Sequence, residues 1–127
     1  MNILVCDDDK EIVEAISIYL EQEGYTIFRA YDGYEALDIA NSKDIQLMLI
    51  DIMMPNLDGI HAVLELRKKS NIPVIILSAK SEDTDKIMGL TIGADDYITK
   101  PFNPLELVAR VKSQLRRYSK LGSMPEV

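Results

Sequence analysis

Four polar residues, Asp7, Asp51, Ser78 and Lys100, each follow a short apolar run that is rich in β-forming residues. Carboxylates are ligands that a hard cation such as Mg²⁺ prefers. A hydroxyl and an ammonium group can contact the oxygens of a phosphoryl group whose charge a metal ion helps to neutralise. If these side chains meet in the folded chain, the chemistry that they suit is phosphoryl transfer at a Mg²⁺ site.

The apolar runs that precede these residues predict strands of one parallel sheet. They read ILVC, LMLI, PVIIL and YIT, and the segments between them carry apolar residues at helical spacing. Alternation of strands and helices is typical of β-α units. Because open α/β sheets form their sites at the carboxyl ends of the strands, the polar residues are expected to share one pocket.

Hydrophobic patterning over the whole chain predicts a three-layer α/β sandwich with five strands and five helices and with right-handed crossovers. In the last helix, an inner face of Leu105, Val108, Val111 and Leu115 is expected. The predicted strands are 2–6, 26–30, 47–50, 73–77 and 97–99, and the predicted helices lie near 12–20, 36–40, 60–66, 85–92 and 104–118.

Asp7, Asp8 and Asp51 are candidate metal ligands because two or three carboxylates at adjoining strand ends suit Mg²⁺. Crowding them makes it costly to ionise them all, so at least one should have a raised pKa without metal, and Lys100 and Mg²⁺ should relieve the repulsion. Asp51 is the candidate nucleophile, because a carboxylate can accept a phosphoryl group as an acyl phosphate. Its central strand lets it meet both the other acids and Lys100.

Each of these residues also has a simpler interpretation when it is taken alone. An acid after a strand is most often a cap or turn residue, Ser78 could cap a following helix, and Lys100 could be a solvated charge. Asp9 is predicted to be the N-cap of the first helix. The functional interpretation depends on the four strand ends being taken together.

The composition restricts the class of protein. The chain has 127 residues, 47% of them hydrophobic, which fits one domain, and its net charge of −7 argues against binding nucleic acid by itself. The one cysteine, Cys6, lies in the first apolar run, which favours a buried thiol in a reducing compartment. No apolar run is long enough to span a membrane, so a cytoplasmic protein without a membrane partner is expected.

The motifs as a set resemble the receiver domain of response regulators, over residues 1–118. Residues 105–112, LELVARVK, continuing to Arg116-Arg117, are similar to the OmpR/PhoB branch, whose members add a C-terminal winged-helix DNA-binding domain, and residues 89–118 are further similar to VanR-type regulators. The matching segments are Asp7-Asp8, IDIMMPNLDG at 50–59, LSAK at 77–80 and GADDYITKPF at 93–102.

The resemblance implies a flavodoxin-like doubly wound sheet in the order 2-1-3-4-5. It also implies a phosphoacceptor switch rather than a conventional enzyme, in which Asp51 receives a phosphoryl group from a sensor histidine kinase and loses it slowly. Residues 119–127 would then be a linker or tail toward an absent domain, through which alone the protein would bind DNA and regulate transcription.

Roles for individual residues follow from the same resemblance. Asp8, Asp51 and the backbone carbonyl of Met53 would bind Mg²⁺, and Asp7 would act through water. Ser78 and Lys100 would bind the phosphoryl oxygens. On phosphorylation Ser78 would move toward the phosphate and Tyr97 would turn inward, and the Lys100-Pro101 bond is expected to be cis.

A switching face is implied on the fourth predicted helix, the fifth strand and the last helix, where phosphorylation would drive formation of a symmetric homodimer. Across its two-fold axis Lys86 would meet Glu106, and Asp96 would meet Arg110. Without the resemblance these charges would be taken as an ordinary solvated face. The residues assigned to this face are Lys86, Ile87, Leu90, Asp95, Asp96, Glu106, Ala109, Arg110 and Lys112.

Two alternatives belong to other classes of protein. A phosphohydrolase of the haloacid dehalogenase type also forms an aspartyl phosphate, but its nucleophile is followed two residues later by a catalytic Asp, where this chain has Met53. An interaction module that is never phosphorylated would not need the full set of Asp8, Asp51, Ser78 and Lys100. No P-loop pattern is present, which argues against a nucleotide switch.

Overall fold

The computed structural model describes residues 1–79 and 93–119. In this part of the chain five parallel strands form one sheet in the order β2-β1-β3-β4-β5, which confirms the predicted sheet. The strands are β1 (Asn2–Cys6), β2 (Thr26–Ala30), β3 (Leu47–Asp51), β4 (Val74–Ala79) and β5 (Asp96–Lys100), and the helices are α1 (Lys10–Gln22), α2 (Gly33–Ser42), α3 (Gly59–Arg67) and α4 (Pro104–Arg117).

The helix predicted near residues 85–92 lies outside the described residues, as do Lys80, Lys86, Ile87 and Leu90. Four helices are therefore described where five were expected. Most of the linker-like tail, residues 120–127, also lies outside the described part of the chain.

The strand register brings the functional ends of the sheet together. Cys6 of β1 pairs with Ile50 of β3, and Asp51 pairs with Leu77 of β4. On the other side of β4, Ala79 pairs with Lys100 of β5. Three of the strands run one or two residues further than expected, so that Asp51, Ser78 and Lys100 belong to the strands instead of following them.

The core consists of two apolar clusters, one on each face of the sheet. One cluster packs α2 and α3 against the sheet through Ala36, Ala62 and Val63. The other packs α1 and α4 through buried residues such as Ile16 and Val111. β3 lies in the middle of the sheet and is buried on both faces over its whole length, which fixes the position of Asp51 at its end.

Helix ends are specified by local sequence. Asp9, Asp32 and Asp58 each cap the helix that follows by accepting hydrogen bonds from backbone amides, which confirms the prediction for Asp9. Asn103 caps α4 in the same way. Gly24 has a φ of 93°, a left-handed conformation that ends the first helical unit and that glycine adopts without strain.

The predicted inner face of the last helix is wrong at Leu105, which is 81% exposed. The buried positions of α4 are Leu107, Val111, Gln114 and Leu115, and Val108 is only partly buried against them. The buried stripe therefore begins at Leu107, two residues after Leu105, and Leu105 lies on the exposed side of the helix. Among the described residues, no helix is both long and apolar enough to cross a membrane.

Candidate functional site

Three carboxylates and one ammonium group meet at the carboxyl edge of the sheet. One ligand oxygen from each of Asp7, Asp8 and Asp51 lies within 4.8 Å of the others. Lys100 Nζ lies 3.0 Å from Asp7 Oδ2 and 3.3 Å from Asp51 Oδ1. Residues that are as many as 93 positions apart in the sequence are thus in direct contact.

Asp7 is fully buried, and both of its carboxylate oxygens have partners. Oδ1 accepts a hydrogen bond from the backbone N–H of Asp9 at 3.0 Å, and Oδ2 accepts one from Lys100 Nζ. Burial raises the pKa of the Asp7 carboxyl above its ordinary value, although the Asp9 amide and Lys100 oppose the rise. Asp8, by contrast, is exposed and lies at the mouth of the cluster.

Asp51 is 5% exposed, and burial together with the charge of Asp7 raises its pKa from 3.8 to about 6. Lys100 and the backbone N–H of Met53 lower this pKa but do not outweigh the burial. For Lys100, burial disfavours the charge, but the hydrogen bond to Asp7 and the charge of Asp51 outweigh it and raise the pKa. The expectation of a raised carboxyl pKa, opposed by Lys100, is confirmed.

Ser78 carries an unsatisfied polar atom. The residue is 1% exposed, and Oγ has no hydrogen-bond partner among the residues that the structure describes. A buried hydroxyl without a partner is costly, and its presence at a strand end calls for a ligand or a solvent molecule. Ser78 lies one residue beyond Leu77, the β4 partner of Asp51 in the sheet register.

The loop between β3 and α3, residues 52–58, approaches Asp51 through the main chain. Met53 is 70% exposed, while its backbone N–H lies near the Asp51 carboxylate and lowers the pKa of that group. Gly59 N–H donates to the Ile52 carbonyl at 3.0 Å, which closes the loop. A Cβ at Gly59 would collide with the Asp51 carbonyl oxygen, so only glycine allows α3 to begin this close to β3.

The peptide bond between Lys100 and Pro101 is cis, as expected. It follows directly after β5, where the Lys100 side chain reaches back to Asp7 and Asp51. Tyr97, the candidate switch residue, lies on the same strand and is partly buried against the cluster that packs α2 and α3.

The charged residues that were assigned to a dimer face make contacts within the chain. Arg110 Nη1 lies 2.8 Å from Asp96 Oδ1, and Arg110 Nε lies 3.0 Å from Glu106 Oε2. Lys112 pairs with Glu23 at the end of α1. Ala109 is exposed, as a surface position should be. The expected pairing of Asp96 with Arg110 thus exists inside one chain, and pairing between two chains remains a prediction.

Asp95 has a contact that the sequence did not suggest. Its Oδ2 accepts hydrogen bonds from Val74 N–H at 2.8 Å and from Arg67 Nη2 at 2.9 Å. Arg67 also donates to the carbonyls of Gly93, Ser70 and Ile72. The side chain of Arg67 thereby ties the end of α3 to the starts of β4 and β5. No local pattern identifies it, because all these acceptors are set by the tertiary fold.

Comparisons with known proteins agree with this geometry. The sequence profile of the response regulator receiver domain matches residues 3–112. The regulatory protein VanR of Enterococcus faecium is 49% identical over 124 residues, which are 98% of this chain and 54% of that protein. The response regulator GtcR of Aneurinibacillus migulanus is 53% identical over 115 residues, which are 91% of this chain and 48% of that protein. The chain thus spans about half the length of these relatives, and the expected likeness to VanR is confirmed.

Solved structures show the same fold. The receiver domain of Francisella response regulator 1452 superposes with a TM-score of 0.85 at 46% identity, covering 91% of this chain and 97% of that one. The CheY-like response regulator receiver domain protein of Methanospirillum hungatei superposes with a TM-score of 0.89 at 30% identity, covering 95% of this chain and 98% of that one.

Proposed function

The chain belongs to the response-regulator receiver family, and from that membership we propose that Asp51 accepts a phosphoryl group from the phosphohistidine of a sensor histidine kinase. The observation that carries the proposal is the contact of one ammonium group, Lys100 Nζ, with both Asp7 and Asp51 at 3.0 and 3.3 Å. That contact puts a fixed positive charge beside the nucleophile, where the transferred oxygens would carry negative charge.

The acidic cluster would hold Mg²⁺. Its donors are all oxygens, three carboxylates lie within 4.8 Å of one another, and the raised pKa of Asp51 marks a site where a cation would relieve crowded charge. Asp8 and Asp51, with the Met53 carbonyl, would be the ligands. Both oxygens of Asp7 already accept hydrogen bonds, which supports a role for Asp7 through water.

In the transfer step an oxygen of the Asp51 carboxylate attacks phosphorus, and the bond between phosphorus and the histidine nitrogen breaks. The imidazole leaves with the bonding electrons, and an acyl phosphate remains on Asp51. Bound Mg²⁺ would neutralise charge on the phosphoryl oxygens. Lys100 would hold one oxygen, and Ser78 Oγ, which lacks a partner in the described structure, would donate its hydrogen to another.

The new charge would act as a switch. When Ser78 turns toward the phosphoryl group, the space that it leaves would be filled by Tyr97, which is already partly buried on the neighbouring strand. A single modification would thereby change the surface that β5 and α4 present. Arg110 would exchange its partner within the chain, Asp96, for Asp96 of a second chain, which would form the homodimer.

The remainder of the protein would supply the output. The matched relatives are about twice as long as this chain, so we propose that a DNA-binding domain follows the linker at residues 119–127. The whole regulator would lie in the cytoplasm, where it would control transcription. The receiver domain itself, with a net charge of −7, would not bind DNA.

Intact mass spectrometry tests the phosphorylation. After incubation with Mg²⁺ and acetyl phosphate, the chain should gain the mass of one phosphoryl group, and Asp51→Asn should gain none. Asp58→Asn is the matched control, because Asp58 is a helix cap outside the acidic cluster and should leave the gain unchanged. Failure of the unaltered chain to gain mass would favour the unphosphorylated interaction module instead, and turnover of a phosphate ester would favour a phosphohydrolase.

Sedimentation velocity tests the dimer. The acyl-phosphate analogue formed from beryllium and fluoride should convert the chain to a dimer, and Arg110→Glu should abolish this conversion because it would place like charges opposite Asp96. Lys68→Glu is a control of equal charge change at the exposed C-cap of α3. A dimer that persists in Arg110→Glu would exclude this interface.

Met53 should set the lifetime of the acyl phosphate. Its side chain is exposed two residues after Asp51, beside the path of an attacking water, and an apolar group orders that water poorly. Phosphate should therefore be lost over minutes to hours, and Met53→Asn should shorten the lifetime measured by phosphate release. An unchanged lifetime would remove Met53 as the cause of slow hydrolysis.

A further inference from the structure

Asp32 joins three parts of the fold at one residue. Its Oδ1 accepts the backbone N–H of Glu35 at 2.9 Å and caps α2. Its Oδ2 accepts from Asn56 Nδ2 at 2.8 Å, and its backbone carbonyl accepts from Cys6 Sγ at 3.3 Å. Cys6 directly precedes Asp7, and Asn56 belongs to the loop that follows Asp51. Asp32 thus connects the residue before Asp7 with the loop after Asp51.

Asn56 has an unusual backbone conformation. Its φ is 70°, the one positive φ at a non-glycine position in the described part of the chain. This left-handed conformation costs free energy for most residues and is tolerated best by Asn, Asp and Gly. The hydrogen bond from the Asn56 amide to Asp32 therefore stabilises the left-handed conformation of Asn56.

A second contact holds the same loop against α2. Gly33 N–H donates to the Leu57 carbonyl at 2.9 Å, and a Cβ at Gly33 would collide with that carbonyl oxygen. The pKa of Asp32 lies below its ordinary value because of the Glu35 N–H and the Asn56 amide, so the carboxylate is charged and accepts strongly. The loop is fixed at Asn56 and Leu57, three and four residues from Met53.

We propose that Asp32 is a positioning residue for the Mg²⁺ site, because its bond to Asn56 holds the loop that brings the Met53 main chain to Asp51. The inference rests on the proposed function and assigns to it a residue outside the acidic cluster. Outer partners of metal ligands contribute to affinity by fixing the orientation of the groups that bind the ion. Loss of this one exposed hydrogen bond should weaken Mg²⁺ binding about fivefold.

A purely structural role, the capping of α2, can be separated from the positioning role by choice of substitution. Asp32→Ser keeps an efficient helix cap, but it removes Oδ2, the carboxylate oxygen that accepts from Asn56. Asn56→Gly keeps the left-handed backbone conformation and removes the amide. Asp32→Ser thus removes the acceptor of this hydrogen bond and keeps the cap of α2. Asn56→Gly removes the donor and keeps the left-handed backbone.

Calorimetric titration with Mg²⁺ at neutral pH measures the effect, with urea unfolding of each variant as the readout of structure. Asp32→Ser and Asn56→Gly should each raise the Mg²⁺ Kd about fivefold, and the double variant should raise it no further, since the bond is already lost. Asn103→Ser, an exchange of the N-cap residue of α4 that changes no charge, should leave the Kd unchanged.

The outcomes separate this inference from the proposed function. Unchanged Mg²⁺ affinity in both single variants would overturn the positioning role while the proposed Mg²⁺ site stands, and so would additive effects in the double variant. A loss of unfolding free energy in Asp32→Ser without a change in Kd would show that the bond between Asp32 and Asn56 only stabilises the fold. If the unaltered chain binds no Mg²⁺, the proposed function fails and this inference fails with it.

Discussion

Replacement of Asp51 by Asn should stabilise the metal-free protein. Asp51 is buried at the end of β3, where its charge is disfavoured by burial and by Asp7, and its pKa is raised from 3.8 to about 6. At neutral pH the folded chain must keep this group ionised in an environment that favours the neutral form. Asparagine has nearly the same shape and carries no charge, so the unfavourable interaction is removed.

The expected gain follows from the pKa. The difference between 3.8 and about 6 corresponds to about 3 kcal/mol at about 1.4 kcal/mol per pH unit. Because the folded-state pKa lies above the unfolded one, folding is penalised fully above pH 6, and the penalty disappears as pH falls below about 4. Asp51→Asn should therefore gain about 3 kcal/mol in unfolding free energy at pH 7 and almost nothing at pH 3.5.

Urea unfolding followed by circular dichroism, in buffer with a metal chelator, measures this gain. Asp58→Asn is the matched control. Burial favours the neutral form of Asp58, but hydrogen bonds from His61 outweigh it and hold the pKa below its ordinary value, so neutralisation should lower stability at pH 7. An Asp51→Asn variant that is no more stable than the parent at pH 7, or a gain that persists at pH 3.5, would refute the reasoning.

Three further predictions concern the acidic cluster and the residues that hold the neighbouring elements in place. Gly59→Ala should lower the unfolding free energy by about 2 kcal/mol, because the new Cβ meets the Asp51 carbonyl; unchanged urea unfolding would contradict this. Mg²⁺ affinity should fall as pH drops below about 6, since protons compete for Asp51, and equal calorimetric Kd values at pH 5 and 7.5 would refute the competition. Arg67→Met should cost about 3 kcal/mol by leaving backbone carbonyls without a donor, whereas Lys68→Met, at an exposed pair, should cost under about 0.5 kcal/mol in the same unfolding assay.

The sheet and the acidic cluster could be predicted from the sequence because both depend on short-range patterns. Apolar runs of strand length that alternate with helical periodicity specify a parallel sheet, and the carboxyl ends of such strands necessarily share an edge. That topology brings Lys100, Asp7 and Asp51 to one edge of the sheet, and the long Lys100 side chain then reaches both acids. The cap at Asp9 was predictable for a local reason, since a carboxylate beside free backbone amides is favourable.

The positions that could not be predicted depend on tertiary contacts. Arg67 looks like an ordinary charge near the end of α3, and only the folded chain brings the carbonyls of Gly93 and Ile72 to its guanidinium. The bond between Asp32 and Asn56 could not be predicted either, because it joins residues 24 positions apart. Leu105 was misplaced because an apolar residue in the first turn of a helix can lie on the wrong side of the stripe that packs inward.

The most direct test of the central claim is to locate the phosphoryl group itself. The chain is incubated with Mg²⁺ and acetyl phosphate, the acyl phosphate is trapped by reduction with borohydride, and the modified peptide is identified by tandem mass spectrometry. Reduction should convert Asp51 alone to homoserine, and both a chelator and Lys100→Ala should greatly reduce the yield. Modification at Asp7 or Asp8 instead of Asp51, or a yield that does not depend on Mg²⁺, would contradict the account.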